Sequence, residues 1–179
     1  MKIIAISGSP RKGNTDFMLN TILDEITDHQ KELILLREKN IQYCTGCDIC
    51  YNECKPCSID DDMPEIIEKL LEADLIIFGT PNYFSNVSGL MKVFMDRTNE
   101  LIKEHKLKDK EAVIVAVGGQ ELTDTEHCKR IVQSFLRHHQ MKLSKSINAK
   151  ADAPEEVKKN ERLLTHIKDL GRQINQNDK

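Results

Sequence analysis

The 179-residue sequence contains no tryptophan, and aromatic residues make up only 4% of it. It also lacks any apolar run near the roughly 20 residues that a membrane-spanning helix requires. Lysine and arginine number 26 against 29 acidic residues, and no stretch is strongly basic, which argues against a nucleic-acid partner. Residues 1–6 lead directly into a turn and show no signal-peptide cleavage site. These absences predict a mature cytoplasmic globular protein with neither a nucleic-acid nor a membrane partner.

The cysteines are not spread as they are in a disulfide scaffold. Five of the six lie between Cys44 and Cys57. A disulfide framework would distribute its cysteines through the chain, because each bridge must join distant segments. The clustering instead indicates metal or redox chemistry in a reducing compartment.

Apolar strands alternate with amphipathic helical segments along the whole chain. The periodicity predicts strands over residues 2–7, 31–36, 74–80, 112–117 and 141–147. Helices are predicted over residues 16–27, 63–73, 125–139 and 154–174, with one more that begins at Ser88 as its N-cap. Strict alternation predicts an α/β fold with a doubly wound parallel sheet. The length suits one domain over residues 1–179, with five strands in the flavodoxin-like order 2-1-3-4-5.

Ligands of such sheets bind beyond the carboxyl ends of the strands, where three loops, residues 8–15, 81–87 and 118–122, are expected to meet. The first loop, residues 8–15, opens a helix whose free N–H groups and positive dipole end favour a phosphate. Asn14 stands where a Walker A loop carries its lysine, which argues against ATP or GTP hydrolysis. The dinucleotide fingerprint G-x-G-x-x-G is absent as well, so a Rossmann NAD domain is disfavoured.

Two stretches carry a family resemblance. Gly8-Ser9-Pro10-Arg11 with Asn14-Thr15 follows the first strand, and Pro81-Asn82-Tyr83-Phe84 follows the third, continuing through Ser88-Gly89, Lys92 and Asp96-Arg97. Over residues 1–147 the chain resembles the flavodoxin-like NADPH-dependent FMN reductases and, among them, the iron-sulfur flavoproteins. The resemblance implies that FMN is bound by Ser9, Arg11, Gly13, Asn14, Thr15, Pro81, Asn82, Tyr83, Phe84, Ser85, Gly118 and Gly119.

The resemblance also implies a function. NAD(P)H would reduce bound FMN, which would pass electrons to a quinone, an aromatic compound, a metal centre or a partner protein. A homodimer or tetramer is expected, because sites of this family usually lie at a subunit contact. Two alternatives stay open: an electron carrier reduced by ferredoxin, and a non-enzymatic metal or redox sensor built on the cysteine loop.

The cysteine-rich loop at residues 43–62 resembles the compact motif of iron-sulfur flavoproteins. Its spacing C-x2-C-x2-C-x6-C implies that Cys44, Cys47, Cys50 and Cys57 bind a [4Fe-4S] cluster. Cys54 is a fifth thiol, so either it or Cys50 is the third ligand. Zinc bound by four thiolates, and a loop without metal, remain alternatives.

Other polar residues are expected to be structural. Asp60, Asp61 and Asp62 precede a helix and suit its capping, and Asp96-Arg97 suits an intrahelical or subunit contact. Cys128 is expected to be a small buried residue. The histidines show no metal-type pairing with the cysteines and are expected at the surface.

Overall fold

The computed structural model describes residues 1–119 and 121–176 of the chain. Within them, five parallel strands form one sheet in the order β2-β1-β3-β4-β5. The strands are β1 Lys2–Ser7, β2 Gln30–Leu35, β3 Leu75–Pro81, β4 Glu111–Gly118 and β5 Lys142–Lys150. The predicted fold class and strand order are therefore confirmed.

Helices cover both faces of this sheet. They are α1 Asn14–Asp24, α2 Ile49–Asn52, α3 Met63–Glu72, α4 Gly89–Arg97, α5 Leu122–His138, α6 Glu156–Lys159 and α7 Glu161–Gln176. Ser88 caps α4 as predicted, since its side chain accepts a hydrogen bond from Met91 N at 3.1 Å. No helix among the described residues is long and apolar enough to cross a bilayer.

The C-terminal segment differs from its prediction. A single helix over residues 154–174 was expected, but α6 and α7 are separate helices with Asn160 between them. Asn160 has extended backbone angles (φ −97°, ψ 92°), and its Oδ1 accepts a hydrogen bond from Leu163 N at 3.0 Å. Asn160 therefore ends one helix and caps the next, because its short side chain competes for backbone donors.

Both faces of the central strands are buried in apolar side chains. All seven residues of β3 are buried, which explains its continuous apolar run. Successive residues point to opposite faces: Ile76 and Phe78 pack on the side of α3, α4 and α5, and Ile77 packs with α1 and α7. This double-sided packing leaves the loops at the carboxyl ends of the strands as the place for a ligand.

The surface assignment of the histidines was wrong for His139 and incomplete for His29, which is half-buried. His139 follows α5 and is completely buried. Its ring centroid lies 4.5 Å from that of Phe135, and its Nε2 lies 3.0 Å from Thr98 Oγ1. Burial, together with the nearby charge of His138, lowers the pKa of His139 to about 4.

His139 should make folding depend on pH. The folded protein keeps the ring neutral, whereas the unfolded chain takes up a proton near pH 6.5, so stability is lost as the pH falls from 6.5 towards 4. Between pH 7.5 and 4.5 the loss is about 2.5 kcal/mol. Urea unfolding of wild-type protein and His139→Gln at both pH values measures it. The difference in unfolding free energy between wild-type protein and His139→Gln should be about 2.5 kcal/mol smaller at pH 4.5 than at pH 7.5. The same difference at both pH values would contradict the lowered pKa of His139.

Candidate active site

A cavity of about 830 Å³ opens at the carboxyl ends of β1, β3 and β4. Its lining contains all twelve predicted cofactor-binding residues: Ser9, Arg11, Gly13, Asn14, Thr15, Pro81, Asn82, Tyr83, Phe84, Ser85, Gly118 and Gly119. Three further residues line it that the sequence did not predict, namely Val117, Ala151 and Asp152. The volume is in the range of cofactor sites. The twelve residues therefore lie around one cavity, as a shared FMN site requires. That they bind FMN stays a prediction.

The loop before α1 forms a cup of unpaired backbone donors. Gly8 N donates to Gly79 O at 2.8 Å, and Gly8 O accepts from Ser88 Oγ at 2.5 Å, so the loop is fixed at its base. Within the described residues, the N–H groups of residues 12–16 have no acceptor. A row of unpaired N–H groups at the positive end of a helix dipole suits a phosphate group.

Some side chains of this cup already make hydrogen bonds within the protein, and others have donors left for a ligand. Ser9 Oγ donates to Arg11 O at 2.6 Å, so its proton stays within the loop. Asn14 Nδ2 donates to Ala153 O at 2.8 Å, which ties the cup to the wall that follows β5. Arg11 and Thr15 side chains have no hydrogen-bond partner among the described residues, so they and the backbone are the donors that face a ligand.

A buried carboxylate lies just inside the cup, and a residue that sequence reasoning missed neutralises it. Asp16 is 5% exposed; its Oδ1 accepts from Ser7 Oγ at 2.5 Å, and its Oδ2 accepts from Arg37 Nη1 at 2.8 Å. The ion pair keeps the negative charge of Asp16 from opposing an anion in the cup. Arg37 lies 21 positions along the chain, so no local spacing could reveal it.

The loop after β3 makes a tight hairpin at the mouth of the cavity. Tyr83 and Asn86 exchange backbone hydrogen bonds of 3.0 Å each way. Phe84 and Ser85 between them have φ values of 52° and 57°, as in a type I′ turn, which usually carries Asn-Gly. Left-handed backbone costs about 1 kcal/mol or more at a side-chain-bearing residue. The strained turn holds the fully exposed Phe84 ring at the cavity mouth.

Next to this hairpin, Gly118 and Gly119 at the end of β4 border the cavity with bare backbone. A Cβ on Gly118 would lie 2.9 Å from Asn82 Cβ, and a Cβ on Gly119 would lie 2.6 Å from Asp152 Oδ1. Both positions are therefore restricted to glycine by space. A bare backbone with its own donors suits the edge of a flat ring.

The two ends of the cysteine loop, residues 40–42 and 60–62, form its neck. A buried ion pair between Arg97 and Asp61 holds this neck closed. Arg97 Nη1 donates to Gln42 O at 2.7 Å and also to Asp61, and Asp61 Oδ2 accepts from Gln42 N at 2.9 Å. Their side chains are 1% and 0% exposed. Burial opposes ionisation, but hydrogen bonds from Arg97 and two backbone N–H groups outweigh it and lower the pKa of Asp61.

Only some of the aspartates near this ion pair, and not Arg97, have the structural roles that the sequence predicts. Asp96 forms the expected intrahelical pair with Lys92, whereas Arg97 makes the long-range clamp instead of an intrahelical contact. Asp61 Oδ1 accepts from Met63 N, at the start of α3, at 2.9 Å, whereas the N-cap residue is Asp62, whose side chain makes no capping hydrogen bond. Asp62 instead accepts from Asn40 N at 2.7 Å and closes the loop neck further.

The five loop cysteines are free thiols. Among residues 1–119 and 121–176, no group of three or more histidine, cysteine or acidic side chains is arranged to hold a metal ion. Cys50 and Cys57 are half-buried against residues 99–101, with Asn99 Nδ2 3.8 Å from Cys50 Sγ and Cys57 N 2.8 Å from Glu100 Oε2. The residue types suit a cluster or zinc, but this conformation does not gather them. The predicted metal ligands therefore stay a prediction.

A cup suited to a phosphate and an open cavity at the switch point of a 2-1-3-4-5 sheet are features of a flavodoxin-like α/β protein. Residues 1–152 match the NADPH-dependent FMN reductase family, and the chain belongs to that family of FMN-dependent oxidoreductases. An iron-sulfur flavoprotein of Methanocaldococcus jannaschii is 40% identical over 144 residues, which cover 79% of this chain and 74% of the relative.

Solved structures show the same fold at low sequence identity. An FMN-dependent NADH-azoreductase from Bacillus anthracis, in complex with FMN, has a TM-score of 0.73 at 13% identity over 98% of this chain and 100% of that chain. An NAD(P)H:quinone oxidoreductase from Methanothermobacter marburgensis has a TM-score of 0.73 at 16% identity over 97% and 96%. At these identities the likeness shows the fold alone.

Gly118 provides a test of the cavity wall. Gly118→Ala should displace Asn82, because the new Cβ would overlap its side chain, and FMN should bind about tenfold more weakly, or about 1.4 kcal/mol. Quenching of FMN fluorescence measures the dissociation constant. Gly89→Ala is the matched control, since its Cβ would meet nothing within 4 Å. Equal affinities of the two variants would contradict the close contact.

Proposed function

We propose that this protein is an NAD(P)H:FMN oxidoreductase that passes electrons from the nicotinamide to a quinone, aromatic, metal or protein acceptor. The observation that carries the proposal is the cup of unpaired N–H groups of residues 12–16, which opens into the same cavity as the Tyr83–Asn86 hairpin and the Gly118–Gly119 wall. FMN, when bound, supplies hydride acceptance and electron transfer. The chain's part is to bind and orient it.

Each wall of the cavity has a separate task in this proposal. The N–H groups of the cup, the Thr15 hydroxyl and the Arg11 guanidinium hold the phosphate and balance its charge. Gly118, Gly119 and the hairpin border the space for the ring. Tyr83 and Phe84 offer flat apolar faces beside the place where a hydride donor must approach.

Assembly into a homodimer or tetramer is part of the same proposal. Tyr83 is 40% exposed, and the Phe84 ring is fully exposed beside it. Adjacent exposed aromatic side chains at the rim of a cavity are typical of a surface that another molecule covers. A second subunit could cover this rim and complete the site for the nicotinamide or the acceptor.

The decisive experiment removes one charge at a time from the phosphate loop. Arg11→Ala should raise the dissociation constant of FMN about tenfold, because a charge-assisted hydrogen bond is lost. Lys12→Ala removes the same charge from the next residue, which does not line the cavity, and should change the constant less than about threefold. Anaerobic stopped-flow mixing of FMN-loaded protein with NADPH, and separately with NADH, should bleach the oxidised flavin rapidly.

Three results would overturn the proposal. They are failure of the wild-type protein to bind FMN, equal effects of Arg11→Ala and Lys12→Ala, and a flavin that neither nicotinamide reduces. In the third case, reduction by ferredoxin alone would identify an electron carrier.

A second candidate function rests on the cysteine loop. The Methanocaldococcus jannaschii relative is named an iron-sulfur flavoprotein, and the four cysteines at positions 44, 47, 50 and 57 match the type of ligand that such clusters use. We infer an iron-sulfur flavoprotein that is reduced by ferredoxin, in which the loop rearranges to bring these thiols together. The clamp of Arg97 and Asp61 would hold the neck of the loop during that change.

Metal analysis of anaerobically purified protein tests this candidate. Iron and sulfide in equal amounts are expected, and Cys50→Ser should lose both whereas Cys54→Ser should keep them. The reverse order would make Cys54 the third ligand. Zinc without sulfide would favour the metal sensor, and protein without metal would leave the oxidoreductase with a free thiol loop.

A further inference from the structure

Cys128 is a buried thiol that none of the functions above uses. It lies in α5 and is completely buried. Its Sγ is 2.8 Å from Asn86 O and 3.1 Å from Asn82 Oδ1, so one thiol proton is shared between two acceptors. Burial raises the pKa of Cys128 to about 12, which keeps the sulfur protonated. A protonated buried thiol is a hydrogen-bond donor and is unsuited to nucleophilic attack or metal binding.

The two acceptors lie at opposite ends of the hairpin that borders the cavity. Asn82 lines the cavity directly after β3, and its backbone N donates to Val117 O at 2.7 Å. Asn86 closes the turn through its backbone pair with Tyr83. The thiol therefore joins the first and last residues of the segment whose middle carries the strained Phe84 and Ser85.

A second residue of α5 contacts the same hairpin at the surface. Asp124 Oδ1 accepts from Ser85 Oγ at 3.4 Å, and Asp124 and Cys128 are four positions apart on one face of the helix. One face of α5 is thus the support of the hairpin. A left-handed backbone at two side-chain-bearing residues persists only where its surroundings hold it in place.

The same contact orients the Asn82 amide. Its Oδ1 accepts from the thiol, so the N–H donors of Nδ2 lie on the other arm, 3.3 Å from where a Gly118 Cβ would stand. Within residues 1–119 and 121–176, Nδ2 has no acceptor. A donor in the cavity wall can bond an electronegative atom at a ring edge, and such donors tune the potential of a bound flavin.

We propose that Cys128 is a positioning residue for FMN, which acts by sharing its thiol proton between Asn82 and Asn86 and so fixes the hairpin and the Asn82 amide against the flavin ring. The inference rests on the proposed FMN site. It adds a residue on the far side of the hairpin, outside the cavity lining, that controls the flavin through its neighbours.

Three substitutions separate hydrogen bonding from packing. Cys128→Ser keeps a donor, Cys128→Val fills a similar volume without one, and Cys128→Ala removes both. Cys128→Val and Cys128→Ala should each bind FMN about three- to tenfold more weakly and shift the visible circular dichroism and midpoint potential of the bound flavin. Cys128→Ser should stay within about twofold of the wild type in FMN affinity.

A double-mutant cycle with Asn82→Ala tests the route of the effect. If Cys128 acts through Asn82, Cys128→Val should cause a smaller shift in flavin potential in the Asn82→Ala background than in the wild type. A purely structural thiol would lower the melting temperature in all variants and leave the potential unchanged. Wild-type FMN affinity and potential in folded Cys128→Val or Cys128→Ala, or fully additive effects with Asn82→Ala, would overturn the proposal. Wild-type protein that binds no FMN would instead refute the underlying function.

Discussion

The unpaired N–H groups at the start of α1 are the constraint on which the candidate site depends. A helix leaves its first donors without partners, and here the N–H groups of residues 12–16 have no acceptor among residues 1–119 and 121–176, while Gly13, Asn14 and Thr15 line the cavity. Gly8 makes this arrangement rigid, because its backbone is bonded to β3 and to the cap of α4, and a Cβ there would lie 2.8 Å from Met91 Cβ. The phosphate cup is thus a direct consequence of how three elements meet around one glycine.

Around this cup, polar contacts between distant parts of the chain hold the loops that border the cavity. Arg37 neutralises the Asp16 carboxylate, which lies beside the cup. Helix α5 supports the strained hairpin through Asp124 and Cys128. Without Arg37, the Asp16 carboxylate would repel an anion in the cup. Without the contacts from α5, the left-handed backbone of the hairpin would relax to an ordinary turn. Binding surface and support come from different parts of the chain, so neither is a local unit.

The cysteine loop shows a related division between a fixed neck and exposed thiols. Arg97, Asp61 and Asp62 close the neck, while Cys44, Cys47 and Cys54 are exposed. A buried, hydrogen-bonded ion pair is costly to break, because either charge alone would remain desolvated. The ion pair therefore fixes the ends of the loop next to α3 and α4.

The strand order and the three loops at the carboxyl ends of the strands could be predicted from the sequence, because apolar periodicity and glycine-rich turns are local signals. Right-handed βα connections between parallel strands then leave few possible topologies. The same signals missed the buried His139, the division of the C-terminal helix at Asn160, and the roles of Arg37 and Arg97. The sequence by itself determined which residues stand at the switch point, since each lies next to a strand end. Only the tertiary structure decided which polar side chains pair across 20 or more positions, because burial and charge neutralisation depend on the packing of distant segments.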